Sequence, residues 1–176
     1  MNDFDLRYPI GKFEKPTLIT PKIISDWIKT IELFPANLVK EISGLSENEL
    51  KLTYREYGWN IKQIVHHCAD SHMHSFIRFK LALTEDNPTI KPYFEDRWAE
   101  LNDVVEAPIK NSLQIIEGLH KRWIVLLSTM NKEQFERTFF HPGSNKKVSL
   151  KENLGIYAWH CNHHLGHIRL AKKSKT

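Results

Sequence analysis

The chain is organised around the segment Tyr157-Ala158-Trp159-His160-Cys161-Asn162-His163-His164-Leu165-Gly166-His167, which places four histidines within eight residues. In a helix these histidines fall at roughly 0°, −60°, +40° and −20° around the axis, at about 100° per residue. All four therefore share one arc, and His160 and His164, four residues apart, can bind one ion together. Taken alone, the segment leaves two interpretations open, a metal site and a set of histidines that only pack.

Helix-start signals accompany this segment and the helical patterns before it. Ser149 with Glu152 predicts a capping box at the start of the last helix. Thr20-Pro21 predicts an N-cap followed by proline at the first helical position of the first helix. Asn60 with Gln63 predicts a second capping box, which opens a helix that no glycine or proline interrupts before Asn87-Pro88.

Within the first helix, Pro35 is expected to kink or interrupt the helical pattern. That pattern continues to Gly44, which is a plausible stop. A third long helix is predicted to start near Asn111. Residues 96–101 favour a short helix in a less regular segment, and residues 138–148 favour a small hairpin or a loop.

Four long helical patterns without an internal repeat predict an all-α protein, a four-helix bundle formed by a single domain over residues 1–176. The connections after the first and second helices are long, so simple up-down hairpins are not assured. Bundles of this kind often bind metal ions, because facing helices project ligands into the core.

Composition excludes several classes of protein. No apolar run reaches the roughly 20 residues that span a bilayer, the first residues have no apolar signal core, and two cysteines do not form a disulfide framework. We therefore expect a cytoplasmic protein without a membrane partner. The net charge of +4 could indicate nucleic acid, but the basic residues are spread out apart from the tail Lys172-Lys173-Ser174-Lys175, so no nucleic-acid partner is predicted.

The second long helix carries a polar stripe on otherwise apolar faces. On that helix, an arc of about 100° contains His67, Asp70, Ser71, His74 and Arg78. The stripe is either a solvated face or, if it faces the histidines of the last helix, the wall of an active site.

Both histidine motifs resemble those of a known family. His66-His67-Cys68-Ala69-Asp70-Ser71-His72, followed by Ile77-Arg78-Phe79-Lys80, resembles the second-helix motif of YfiT-like proteins in the DinB-like superfamily. Tyr157-x-Trp159-His160-x-x-His163-His164-x-x-His167-Ile168 resembles their last-helix motif, and Tyr8-Pro9-Ile10-Gly11-Lys12-Phe13 resembles their N-terminal opening. The similarity covers nearly the whole chain.

This resemblance implies a four-helix bundle that holds one divalent metal ion per chain through three histidines, which correspond here to His67, His160 and His164. It implies zinc as the native ion, with nickel as the alternative in a purified sample, and a homodimer. The family carries a provisional label of metal-dependent hydrolase, and some relatives transfer a low-molecular-weight thiol such as bacillithiol. A small-molecule substrate, which includes such a thiol, is therefore expected.

Three neutral imidazoles would leave one position of the metal open, which is the pattern of catalytic zinc sites. The same site supports hydrolysis through an activated water or S-transfer through a thiolate. The alternative is a non-catalytic metal-binding or thiol-binding module, which a fourth protein ligand such as His163 or Cys161 would favour.

The roles of the neighbouring polar residues stay open at this stage. Asp70 either orients a ligand histidine or lies on the surface paired with His74. His163 and His167 are candidates for orienting groups, substrate contacts or plain helix-face residues, and Arg78 either binds a substrate carboxylate or forms a surface salt bridge. Cys68 and Cys161 are interpreted as buried packing residues.

Overall fold

Four long helices form the bundle in the computed structural model, which describes residues 5–174. They are α1 (Pro21–Ile42), α2 (Ile61–Thr84), α5 (Ile109–Thr129) and α7 (Leu150–Lys173). The connections contain a 3₁₀ turn (Glu49–Lys51), the short helices α3 (Glu95–Trp98), α4 (Asn102–Glu106) and α6 (Lys132–Glu136), and the strands β1 (Thr138–His141) and β2 (Lys146–Ser149). The architecture is the all-α four-helix bundle that the sequence predicts.

The order of the helices around the bundle differs from their order along the chain. α1 packs against α5 and α7, and α2 packs against the same two helices. Consequently α1 and α2 lie diagonally opposite, as do α5 and α7, so the long connections 43–60 and 130–149 cross the ends of the bundle. This arrangement makes α2 and α7 neighbours although about 65 residues of sequence separate them.

Helix starts agree with the predicted caps. The Thr20 side chain accepts a hydrogen bond from the Ile23 amide, and Asn60 and Gln63 form the full reciprocal capping box of α2. At α7 only half of the predicted box forms. Ser149 accepts from the Glu152 amide, but the Glu152 carboxylate forms a salt bridge with Lys15 instead.

Pro35 does not interrupt α1, because the helix runs unbroken from Pro21 to Ile42. Proline cannot donate to the carbonyl four residues earlier, here that of Ile31. The Nδ1 of His120 on α5 lies 2.7 Å from this carbonyl oxygen and replaces the missing donor. Buried Ile31, Phe34 and Leu38 hold the same helix in the core on both sides of the proline.

Two boundaries differ from the predictions in detail. The third long helix starts at Ile109, directly after Pro108, rather than near Asn111. The segment 96–101 contains the end of α3 and the approach to α4 rather than one short helix. The predicted hairpin does form, with Phe139 paired to Val148, and the connection after α2 hydrogen-bonds to Phe140 through Pro88 and Ile90.

Gly155 of α7 allows close contact with α1. A Cβ at this position would lie 2.7 Å from Cη2 of Trp27 and 2.9 Å from its Cζ2, which is closer than real contacts permit. We therefore expect Gly155→Ala to lower the free energy of unfolding by roughly 1–3 kcal/mol. Urea unfolding monitored by circular dichroism measures this change.

Gly118 on α5 provides the matched control, because a Cβ there would meet nothing within 4 Å. Gly118→Ala should be neutral or should stabilise the helix by up to about 1 kcal/mol. Equal effects of the two substitutions would contradict the assigned contact between α1 and α7.

Candidate metal centre

Three histidines from neighbouring helices meet at one point. His67 lies in the second turn of α2, whereas His160 and His164 lie one turn apart on α7. The Nε2 atom of His160 is 3.2 Å from Nε2 of His67 and 3.1 Å from Nε2 of His164. These three residues, called the histidine triad below, are the group that the sequence analysis selected.

The triad fits a divalent metal ion. One ligand atom from each residue can be chosen so that all three lie within 4.8 Å of one another. Ligand nitrogens of a tetrahedral zinc ion with bonds of 2.0–2.1 Å are about 3.3 Å apart, which agrees with the two short separations in the triad. Among residues 5–174, this is the only group of three or more histidine, cysteine or acidic side chains with such convergence.

The triad histidines are neutral at neutral pH, and the neutral imidazole is the form that binds metal. Burial lowers the pKa of His67 to about 4, with a smaller contribution from His167. Burial also lowers the pKa values of His160 and His164 well below the usual 6.5, and the neighbouring triad members lower them further. Three neutral ligands leave the full 2+ charge of an ion available to polarise a substrate.

A cavity of about 520 Å³ opens beside the triad. Its lining combines aromatic rings with basic groups and a small acidic edge, contributed by Arg7, Tyr8, Tyr54, Arg55, Tyr57, Trp59, Ser71, Arg78, Tyr93, Glu95, Asp96, Tyr157, Trp159, His163 and His167. His67, Ser71 and Arg78 of the polar stripe on α2 therefore line this cavity, whereas Asp70 and His74 of the same stripe do not. A volume of this size accommodates a small-molecule substrate.

The N-terminal segment forms one side of the cavity. A Cβ at Gly166 would lie 2.9 Å from Cγ of Pro9, so glycine permits the segment to lie directly on α7. The indole Nε1 of Trp159 donates a hydrogen bond to the carbonyl of Gly11, which has a φ of +78°. These contacts hold Arg7 and Tyr8 beside the triad.

A hydroxyl pair lies next to His160. The Tyr157 hydroxyl donates to the Ser71 carbonyl at 3.0 Å and is 3.2 Å from Oγ of Ser71. That Oγ is 3.5 Å from Nε2 of His160. Ser71 thus brings a hydroxyl group within reach of the triad, and Tyr157 holds that residue in place.

The structure does not place Asp70 in the orienting role that was one of its two predicted alternatives. Within the described chain, its carboxylate forms no hydrogen bond to a triad histidine and no pair with His74. Burial, assisted by Asp103, raises the pKa of Asp70 to about 6. The orienting positions are occupied instead by His72, whose Nε2 is 3.1 Å from Nδ1 of His160, and by His167, whose Nδ1 is 3.4 Å from Nδ1 of His164.

The structure gives each of the other candidate residues a distinct environment. Cys68 and Cys161 are free and buried, and burial raises the pKa of both thiols, which agrees with their interpretation as packing residues. His163 stacks on Trp159, with ring centroids 4.3 Å apart, and lies outside the triad. Arg78 forms no salt bridge within residues 5–174, and its buried Nε has no hydrogen-bond partner there.

Sequence reasoning missed several contributors to this region, among them Trp59 and His120. Trp59, just before the Asn60 cap, covers His67 with ring centroids 4.6 Å apart. Its position next to a helix cap in front of the histidine motif was the available signal. His120 contacts His72 from α5, where a lone histidine in an amphipathic helix offers no signal at all.

The chain belongs to the DinB superfamily, whose family model matches residues 30–168. Proteins named "Putative metal-dependent hydrolase" from Bacillus cereus (strain AH820) and Bacillus anthracis (strain A0248) are 50% identical over 169 residues, which cover 96% of this chain and 96% of each relative.

A solved structure shows the same architecture. YfiT from Bacillus subtilis, described as "a probable metal-dependent hydrolase with an unusual four-helix bundle topology", superposes with a TM-score of 0.93 at 42% identity. The match covers 97% of this chain and 98% of that one. The predicted resemblance to YfiT-like proteins and the predicted four-helix bundle are therefore confirmed.

Proposed function

We propose that the protein is a metal-dependent enzyme that binds one divalent ion per chain through His67, His160 and His164. The observation that carries this proposal is the convergence of three buried or half-buried imidazoles, 3.1 and 3.2 Å apart at their Nε2 atoms, beside an open cavity. Zinc is the ion that suits three imidazoles and an open position, and nickel is the alternative. The names of the relatives agree with a metal-dependent hydrolase.

When bound, such an ion supplies Lewis acidity, which lowers the pKa of a water or a thiol at its open position. The protein's own groups then position the reactants. The rings of Trp59 and Tyr157 pack against His67 and His160, respectively, and the Ser71 hydroxyl, 3.5 Å from Nε2 of His160, lies where it can accept or donate a hydrogen bond to the nucleophile. The same arrangement serves hydrolysis, with water as nucleophile, and S-transfer, with a low-molecular-weight thiol of the bacillithiol type.

The environment of Arg78 favours a substrate that carries an anionic group. Its buried Nε lacks a partner in the described chain, and burying an unpaired guanidinium donor is costly unless a ligand satisfies it. The side chain lines the triad cavity together with Arg7 and Arg55. Of these three arginines, Arg7 is already paired with Asp5. The Nε of Arg55 is also buried without a partner in the described chain, but its guanidinium donates from Nη1 to the Glu56 carbonyl and lies over the Tyr54 ring.

A non-catalytic metal-binding module is the alternative. It would be favoured by a closed site, but within the described chain no fourth histidine, cysteine or acidic ligand joins the triad. Cys161 is buried with a raised pKa, which disfavours its thiolate as a ligand. These observations favour a catalytic site.

The experiment is a paired activity screen of the zinc-loaded protein. One panel joins cellular low-molecular-weight thiols to an electrophile such as monochlorobimane, and the other contains esters and amides as anionic and neutral pairs. We expect turnover in one panel, and Arg78→Gln should raise KM for anionic members about 10-fold or more while sparing neutral ones, because a charge-assisted hydrogen bond contributes roughly 1.5–3 kcal/mol. Full metal content without turnover in either panel would favour the binding module.

Three further expectations stay predictions: a homodimer, a cytoplasmic location and a bacillithiol-type substrate. A homodimer would suit the exposed side chains of Phe94 and Trp98, since interfaces favour aromatic residues.

Within residues 5–174, no helix has the length and apolar character needed to cross a membrane.

A further inference from the structure

A line of hydrogen bonds leads away from the triad and crosses all four long helices. Nδ1 of His160 on α7 is 3.1 Å from Nε2 of His72 on α2. Nδ1 of His72 is 2.7 Å from Nε2 of His120 on α5, and Nδ1 of His120 is 2.7 Å from the carbonyl oxygen of Ile31 on α1. We call these four residues the relay chain.

Pro35 makes the far end of the relay chain available. In a regular helix the amide of residue 35 would donate to the carbonyl of Ile31, but proline has no N–H. A buried carbonyl without a donor is costly, and the His120 imidazole supplies that donor. The proline inside α1 therefore determines which hydrogen bond a histidine of the neighbouring helix α5 makes.

The carbonyl determines the direction of every bond in the relay chain. It can only accept, so Nδ1 of His120 must carry a proton, and a neutral imidazole carries just one. Nε2 of His120 is then an acceptor, which requires a proton on Nδ1 of His72. By the same step Nδ1 of His160 carries the proton, and Nε2 of His160 presents its lone pair to the triad.

Burial keeps the two intermediate imidazoles neutral and fixed. His72 is 0% and His120 is 1% exposed, and in the described chain no carboxylate is bonded to either ring. A charged imidazole would therefore be unfavourable at both positions. The rings of Phe34 and Trp123 contact both histidines, with centroids 5.0–6.1 Å away, so packing limits rotation of the imidazoles.

A shorter line of contacts acts on His164 in the same way. The carbonyl of Arg7 is 3.1 Å from Nε2 of His167, and Nδ1 of His167 is 3.4 Å from Nδ1 of His164. Since the Arg7 carbonyl only accepts, Nε2 of His167 donates and its Nδ1 accepts. His164 then also presents a lone pair on its Nε2 atom, which is 3.1 Å from Nε2 of His160. Two lone pairs this close repel each other, and a divalent ion held by both histidines would remove the repulsion.

We propose that His72 and His120 are positioning residues that hold His160 in the Nδ1–H tautomer through the Ile31 carbonyl that Pro35 leaves free. This role rests on the proposed metal site, because its purpose is to keep Nε2 of His160 ready for a divalent ion. Neither residue belongs to the triad. Groups that orient a metal-binding histidine change metal affinity about 10–100-fold when they are removed.

The first test reads the tautomers directly in the metal-free protein. Long-range ¹H–¹⁵N correlation spectra of ¹⁵N-histidine-labelled wild type at pH 7.5 distinguish Nδ1–H from Nε2–H rings. We expect Nδ1–H tautomers at His72, His120 and His160. An Nε2–H tautomer at His160 in wild type would overturn the proposal. This result does not depend on whether the protein catalyses a reaction.

The second test measures zinc affinity by competition with a chromophoric chelator. His120→Phe removes the donor to the Ile31 carbonyl, so His160 should become a tautomer mixture and the zinc Kd should rise about 10–100-fold. His66→Phe is the matched control, because His66 is a buried histidine of α2 that bonds to Ser112 of α5 and lies outside the relay chain. It should keep the wild-type tautomer of His160 and the wild-type Kd.

The two tests distinguish failure of the positioning role from failure of the proposed function. A folded His120→Phe variant with wild-type zinc affinity overturns the positioning role, whatever the screen for turnover shows. If His120→Phe fails to fold, the wild-type tautomers alone decide. If wild type binds no zinc, the proposed function fails, whereas the tautomer spectra still establish or exclude the relay chain.

Discussion

His160→Ala should abolish stoichiometric metal binding while leaving a folded helical protein. His160 is the central member of the triad, since its Nε2 contacts both others at 3.1–3.2 Å. The loss should exceed the roughly 10–100-fold effect of removing an orienting group. Elemental analysis after gel filtration measures the metal content, and far-ultraviolet circular dichroism measures the helical fold. Turnover in whichever panel of the screen shows activity for wild type should be lost with the metal.

The same variant should lose the stabilisation that metal provides. A ligand at about 100 times its Kd stabilises the folded state by about 2.7 kcal/mol. For a chain of this size, such a change corresponds to a Tm shift of about 5–10 °C. Added zinc should therefore raise the Tm of wild type but not that of His160→Ala, because the ion would tie α2 to α7.

His163→Ala is the matched control on the same helix. His163 stacks on Trp159 and lies outside the triad, so the variant should retain its metal and its zinc-dependent Tm shift. Loss of metal in His163→Ala together with retention in His160→Ala would show that the chosen ligand set is wrong. Metal retained in both variants with activity lost in both would assign these histidines to the substrate.

The local parts of the fold could be predicted because the relevant signals lie within a few residues. The caps at Thr20, Asn60 and Ser149 combine a side chain with an amide three residues away, and their positions set the helix starts. The spacing of His160 and His164 is likewise a local property, since residues four apart lie on one helix face. Only the resemblance, not the spacing, selected His67 as the third member.

The longer-range features could not be predicted from spacing. Whether the polar stripe with Ser71 and Arg78 meets solvent or a cavity depends on which helix packs beside α2, and the diagonal order of the bundle is a property of all helices together. Pro35 illustrates the same point. Propensity predicts a kink or a break, but a histidine 85 residues later in the chain supplies the missing donor and packing keeps α1 continuous.

Acid should unfold the metal-free protein between about pH 6.5 and pH 4. Burial lowers the pKa of His67 and of His120 to about 4, whereas both titrate near 6.5 in the unfolded chain. In that interval the unfolded state binds more protons than the folded state, so the free energy of unfolding falls as the pH falls. At about 1.4 kcal/mol per pH unit, each residue accounts for roughly 3 kcal/mol, against a typical total of about 5–15 kcal/mol.

Asp70 acts in the opposite direction and provides the internal control. Its pKa is raised to about 6, mainly by burial and then by Asp103, so the folded state takes up this proton first and gains stability as the pH falls through 6. Asp70→Asn removes that gain, and the stability of the variant should therefore fall more steeply with acid than that of wild type. Urea unfolding of chelator-treated protein at pH 7.5, 6.5, 5.5 and 4.5 measures both slopes. A flat wild-type profile would show that the buried histidines do not dominate the acid response. A shallower profile in Asp70→Asn than in wild type would show that the pKa of Asp70 is not raised in the folded state.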